Sequence, residues 1–345
     1  MEERMLTLCN TAQESIKDLL TKIGFPNDGE VVDGIVDMVN MLSDYHEEGQ
    51  PLYPEVLIAN NKSYLNTFIN HRIKLAEKPF SKGDFSQCIK MCSPLAVDGW
   101  SIYILLLENR HIEYGVLTSE VTALSLDLYS QTMSNGVPDV NALYLRNVGN
   151  KTVEVRDVQN QILVSLNLKQ GYASLDSIVR DLVGTILPKG TSHCVEKSNF
   201  LIKSIRQALN EGHGNLIAVS EYDPGIIKSV TDNFHGGVFL ERDAVNLEEI
   251  ANDCMKFHTE ETSRKLSSYT RLMQSMLNFD GITLFANDGS IIGYHFIVNN
   301  DKVTDDNIEG GSRTRAYLAL CKIDGLKACF MRSQDGKIKY NKNEQ

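Results

Sequence analysis

Residues 279–298 run Phe279-Asp280-Gly281-Ile282-Thr283-Leu284-Phe285, then Asn287-Asp288-Gly289-Ser290, then Ile291-Ile292-Gly293-Tyr294-His295-Phe296-Ile297-Val298. Two apolar runs joined by an Asn-Asp-Gly-Ser turn predict a β-hairpin. Downstream, Gly310-Gly311-Ser312-Arg313-Thr314-Arg315-Ala316-Tyr317-Leu318-Ala319-Leu320 predicts a tight turn opening into a helix. The free N–H groups and dipole of a helix start favour anions. Two guanidiniums there add fork-shaped donors suited to phosphate oxygens. A strand over 326–331 and a turn at Ser333-Gln334-Asp335-Gly336 close the segment. Asp280, a carboxylate followed by glycine, suits a divalent cation or a hydroxyl proton. The residues point to an anion site, phosphate first, beside Asp280. Asp-Gly is also a common turn pair, and Arg-x-Arg at a helix start is often a solvated face, so both readings stand open at this level.

Working outward, helices over 195–210, 247–257 and 263–277 alternate with strands over 216–219 and 238–240. Such interleaving predicts a mixed β-sheet covered by helices, an α/β fold spanning 195–340. Residues 189–192, Lys-Gly-Thr-Ser, read as a linker. Ahead of it, 49–190 reads as an α+β domain, with strands at 56–59, 99–107, 111–117, 142–148 and 152–156. Helices are expected there at 62–69, 85–92, 119–131 and 175–182, while 158–168 fits either a strand or a helix. Residues 1–48 read as two amphipathic helices broken by Gly24-Phe25-Pro26-Asn27-Asp28-Gly29, packing within the chain rather than on a partner. Trp100, the single tryptophan, reads as core. The tail after Tyr340 reads as disordered.

Composition narrows the function. The 345 residues suffice for two domains, and 42% hydrophobic with 23% charged residues is ordinary for a globular chain. A net charge of -11 argues against a nucleic-acid polymer or an anionic membrane as partner. No apolar run approaches the roughly 20 residues of a membrane helix, and Met1-Glu2-Glu3-Arg4 does not open a signal peptide. Seven scattered cysteines suit a reducing cytoplasm. Cys88 and Cys92 share a helix face without other ligands nearby and read as buried structural thiols.

The order of the C-terminal motifs resembles the catalytic domain of diadenylate cyclases, which carry Asp-Gly-Ala and Gly-Thr-Arg-His-Arg-Ala-Ala. Here these stand as Asp280-Gly281-Ile282 and Gly311-Ser312-Arg313-Thr314-Arg315-Ala316-Tyr317. Gly214-Asn215-Leu216-Ile217-Ala218-Val219 resembles the family's Gly-Ala-Leu-Ile-Val strand, and His235-Gly236-Gly237 its Gly-Gly turn. More weakly, Cys92-Ser93-Pro94, Asp98-Gly99-Trp100 and Tyr114-Gly115-Val116 resemble predicted sensor modules fused ahead of such cyclases. The resemblance implies condensation of two ATP into cyclic di-AMP with release of pyrophosphate. It implies that Asp280 binds Mg²⁺ or Mn²⁺ and serves the attacking hydroxyl, and that Gly281 admits the nucleotide. Ile282 would floor the adenosine, and Gly311, Ser312, Arg313, Thr314, Arg315 and Ser333 would grip the nucleotide. It also implies a homodimer, since each domain would hold one ATP. Thr314 replaces the family's histidine, Ile282 its alanine, and Gln334 stands where the family has glutamate. A catalytically degenerate nucleotide receptor on the same fold is the alternative.

Overall fold

The computed structural model describes residues 8–68, 71–97, 99–119, 124–125, 128–134, 141–149, 151–166, 175–188, 195–212, 214–241, 244–299, 311–334 and 336–343. The chain forms two compact units, one of residues 1–121 and 126–172, the other of residues 122–125 and 173–345.

The first unit opens with helices α1 (Leu8–Lys22) and α2 (Gly29–Ser43). Asp28 caps α2, its carboxylate accepting from the backbone N–H groups of Glu30 and Val31. A two-stranded ribbon, β1 (His46–Glu47) and β2 (Gln50–Pro51), precedes β3 (Val56–Ala59), α3 (Lys62–Phe68), β4 (His71–Pro79) and α4 (Asp84–Cys92). Strands β5 (Ser101–Leu107) and β6 (His111–Thr118), helix α5 (Leu128–Ser134), and strands β7 (Ala142–Asn147), β8 (Thr152–Arg156) and β9 (Gln161–Ser165) complete it. The seven-stranded sheet runs β4-β6-β5-β3-β7-β8-β9. Only β3 and β5 pair in parallel. Period-2 alternation sends Val56, Ile58, Ile102, Ile104, Leu143 and Leu145 to one face, where they join Ile16, Leu20, Ile35, Met38 and Phe85. The two N-terminal helices therefore share the core of this sheet. Leu57, Tyr103, Leu105 and Tyr144 line the other face with Tyr64, Leu65, Leu128 and Tyr129. Residues 161–165 settle as a strand, paired with β8.

The second unit contains α6 (Leu175–Ile186), α7 (Val195–Glu211), β10 (Asn215–Ser220), α8 (Pro224–Thr231), β11 (Phe234–His235), β12 (Val238–Phe239), α9 (Leu247–Phe257) and α10 (Glu260–Asn278). The hairpin β13 (Ile282–Ala286) and β14 (Ile291–Val298), helix α11 (Ser312–Leu320), and strands β15 (Leu326–Arg332) and β16 (Ile338–Lys342) follow. The sheet runs β11-β14-β13-β10-β15-β16, with β12 also on β14. It is mixed: β10 pairs in parallel with β13 and antiparallel with β15. Ile217, Val219, Phe285, Ala328 and Phe330 face a core shared with α6, α7, α9 and α10. Leu216, Ala218, Ile282, Leu284, Cys329 and Met331 face the opposite core, with Tyr317 and Leu320 of α11 and Val230 of α8. Helices thus cover both faces of a mixed sheet, the α/β layering expected from the sequence.

Three expectations change, the first being the helix read over 119–131: Ser119 is irregular, residues 124–125 form a turn, and helix α5 begins only at Leu128. Helix α6, read as the end of the first domain, belongs to the second unit, because Val179, Leu182, Val183 and Ile186 are buried in its core. Asn341 and Lys342, read as disordered tail, continue β16 opposite Cys329 and Ala328. The linker at 189–192 lies outside the described residues.

Candidate functional site

The parallel register of β10 and β13, Leu216 opposite Ile282, brings the starts of both strands to one end of the sheet. Asp280-Gly281 leads into β13 there, and Gly214 leads into β10. The antiparallel partner β15 ends at the same edge, Arg332 lying opposite Asn215, so Ser333 follows at this end too.

Gly281 has φ +106, and a Cβ on it would stand 2.9 Å from the Cα and carbonyl carbon of His295 and 3.0 Å from the Phe296 oxygen. The obstacle is the backbone of β14, so glycine is required here by the sheet itself, before any ligand. His295 also holds φ +62, uncommon for a residue with a side chain. The ladder explains both. Ile282 pairs with Phe296 and Leu284 with Gly293. Tyr294 and His295 therefore oppose Thr283 alone, a β-bulge of the kind that re-aims side chains near sites. His295 Nδ1 bonds the Asp280 carbonyl. Since that oxygen only accepts, Nδ1 carries the proton. The His295 ring packs edge-on to Phe279, centroids 4.9 Å apart. The bulge thus fixes the main chain of Asp280 and leaves its carboxylate 87% exposed.

Helix α11 supplies the cationic side. Its N-cap, Gly311, has no side chain to cap with, so among the described residues no cap side chain takes the first-turn N–H groups. Gly311 has φ -68 and nothing within 4 Å of a would-be Cβ, so the turn does not need glycine at this position. Gly310 lies outside the described residues. Arg313 reaches back to the sheet, its Nη2 3.8 Å from the Asp280 carboxylate. A Cβ on Gly214, at φ +129, would lie 2.8 Å from Arg313 Nη1 and 2.9 Å from Cζ. Gly214 is the seat of that guanidinium, a role the sequence signals only as the glycine before a strand. An exposed ion pair is worth about 0–1 kcal/mol, so this contact does little for stability. It leaves a carboxylate and a guanidinium together and accessible.

The remaining candidates divide. Arg315 is exposed and makes no ion pair among the described residues. Two residues along a helix turn the side chain by about 200°, which carries Arg315 away from Arg313. The Thr314 hydroxyl lies 4.0 Å from the Met331 sulfur. Ile282 is 1% exposed, inside the core beneath α11, where its side chain meets neighbouring apolar groups. Ser312 is exposed at the helix mouth. The Ser333 hydroxyl accepts from the Lys337 N–H at 2.9 Å and so closes the β15–β16 turn.

Comparison with protein-family models, curated proteins and solved structures finds no match. The site therefore has to be read from its own geometry.

Among the described residues no group of three or more His, Cys, Asp or Glu side chains is placed to hold a metal. Asp280 offers one hard oxygen donor, which suits a Mg²⁺ or Mn²⁺ ion that takes its remaining ligands from phosphates and water. Asp335 lies outside the described residues. Among those same residues, no helix is long and apolar enough to cross a membrane.

Proposed function

We propose that the second unit is a diadenylate cyclase domain that condenses two ATP into cyclic di-AMP, or a related cyclic dinucleotide, releasing pyrophosphate. The observation that carries the reading is the 3.8 Å approach of Arg313 to Asp280 over the Cβ-less floor of Gly214. Two motifs far apart in the chain meet at one sheet end, in the order the cyclase resemblance requires. Each 3′-hydroxyl must attack the other nucleotide's α-phosphate. Such a transition state spreads negative charge over phosphoryl oxygens and needs alignment and cations more than covalent help. The exposed Asp280 carboxylate orients the hydroxyl and accepts its proton. Arg313 and the N–H groups at Ser312 and Thr314 hold phosphate oxygens, while Arg315, turned away from Arg313 on the helix, takes no part in that grip. A bound Mg²⁺ or Mn²⁺ would supply charge neutralisation at the phosphates, with Asp280 holding it. Each copy of the second unit offers one such set, so two ATP call for an isologous homodimer with the sites face to face. The first unit, which resembles predicted sensor modules, regulates the reaction in a cytoplasmic setting.

A receptor that binds nucleotide without turnover is the second reading. It is favoured by Gln334 in place of the family's glutamate and by the single carboxylate that the described residues place at the site. Incubation of the full chain with ATP and Mn²⁺, followed by mass spectrometry, separates the two. A cyclic dinucleotide that disappears in Asp280→Asn supports the cyclase; nucleotide binding without product supports the receptor.

A further inference from the structure

A cleft of about 700 Å³ opens in the first unit where the parallel strands β3 and β5 end side by side. That volume falls in the range of small-molecule sites, roughly 300–1,000 Å³. Open α/β sheets collect ligands outside the carboxyl ends of their parallel strands. The register, Ala59 opposite Leu105, sends Asn60 and Asn61 off β3 beside Glu108 and Asn109 off β5. Ala142 lies opposite Ala59 on the other side, so Asn141, just ahead of β7, forms the third wall. Lys62 completes the polar lining.

Much of this lining has bonding capacity that the fold does not use. The Asn61 side-chain oxygen accepts from the Ser63 N–H at 2.8 Å, and the Asn141 amide donates to the Gly24 carbonyl at 3.0 Å. These bonds fix both side chains and leave an amide donor on Asn61 and an acceptor oxygen on Asn141. Among the described residues, the side chains of Asn60, Glu108 and Asn109 make no hydrogen bond or ion pair. Lys62 stands 3.8 Å from the Glu113 carboxylate, beyond hydrogen-bond reach, while Tyr103 donates to that carboxylate at 3.0 Å. The Lys62 N–H donors are therefore open to a ligand. With one ammonium and one carboxylate, the cleft favours neither a polyanion nor a bare cation, and a neutral polyol would use neither charge. Among the described residues no aromatic side chain lines it, so a nucleobase finds no stacking surface.

We propose that this cleft binds a free α-amino acid, a small molecule that carries both charges at once. Its carboxylate meets Lys62 and its ammonium meets Glu108. The carboxamides of Asn60, Asn61, Asn109 and Asn141 take up its remaining donors and acceptors, which favours a polar side chain. Lys62 and Glu108 are both exposed, so each ion pair is solvated and the complex is weak, with a Kd on the order of millimolar. The assignment concerns the first unit alone and stands whether or not the second unit makes a cyclic dinucleotide.

The test records saturation-transfer difference NMR on the full chain with an equimolar mixture of the proteinogenic amino acids, a method suited to weak ligands. One or a few of them should take up saturation from the protein. The methyl ester and the N-acetyl derivative of the responding amino acid, each missing one charge, should lose most of that response. Glu108→Gln, at an exposed position, should raise the Kd about fivefold and leave the melting transition in place. Silence from every amino acid, an undiminished response from the ester and the N-acetyl derivative, or an unchanged Kd in Glu108→Gln overturns the assignment. So does saturation of glucose, in a parallel sample, in place of the amino acids. The wild-type spectra need no variant to fold.

Discussion

Gly281→Ala should unfold more easily even with no nucleotide present. The new Cβ would sit 2.9 Å from two backbone atoms of His295 and 3.0 Å from the Phe296 oxygen, at φ +106. A flexible side chain could step aside, but a paired strand cannot. Holding a non-glycine residue in such a region costs about 1–3 kcal/mol before any clash. For a unit of this size each kcal/mol lowers the melting temperature by roughly 2–4 °C, so the expected drop is about 2–12 °C. Differential scanning calorimetry of the unliganded chain reads it directly. Gly311→Ala is the control: its φ is -68 and the space is open, so its transition should not move. An unchanged transition in Gly281→Ala would refute the argument that β14 imposes this glycine. The only remaining reason for Gly281 would then be close approach of a ligand.

Three further outcomes follow from named contacts. Arg313→Ala should weaken ATP binding by about 1.5–3 kcal/mol, roughly 12-fold to 150-fold in Kd, as calorimetry would show. Its melting point should hardly move, because an exposed pair contributes about 0–1 kcal/mol. Glu154→Leu should destabilise the first unit by about 3–5 kcal/mol in urea titration. It removes the buried carboxylate that Arg146, 2% exposed, bonds at 2.7 Å; a loss below about 1 kcal/mol would contradict this burial argument. Burial pushes the Asp181 carboxyl up, but hydrogen bonds from Lys342 and Tyr340 outweigh it and hold the group below 3.8. A lowered carboxyl stabilises above its unfolded value and loses that stabilisation as pH falls through the folded value. Lys342→Met should therefore flatten the acid limb of the stability profile and speed amide exchange in β16.

Much of the second unit is legible in the sequence because its signals are strong and local. The hairpin announces itself through two apolar runs around Asn287-Asp288-Gly289-Ser290, and the turn closes as the spacing predicts, Ala286 N–H donating to the Ser290 carbonyl at 2.9 Å. Strand β4 goes unread because it is an edge: among the described residues only β6 pairs with it, most of its residues are exposed, and the short Ile73-Lys74-Leu75 alternation sits among charged neighbours. Helix α8 goes unread because it buries only Val230. At the site, Asp280 and Arg313 stand out by residue type and motif order. Arg315 separates from Arg313 through helical geometry, which a motif string hides. Ile282 looks like a ligand contact when aligned with a motif, yet its alternation with Thr283 points it into the core. The parts that no local pattern carries are the bulge at Tyr294-His295 and the seat at Gly214, since each depends on a neighbouring strand or helix distant in the chain.

The central claim is that Asp280 and the mouth of α11 hold one triphosphate between them. A crystal structure of the full chain soaked with ATP tests it most directly. The account predicts phosphate density within hydrogen-bonding reach of Arg313 and of the first-turn N–H groups of α11, with a ribose hydroxyl near Asp280. Nucleotide bound elsewhere, with Arg313 still resting on Asp280, would contradict it.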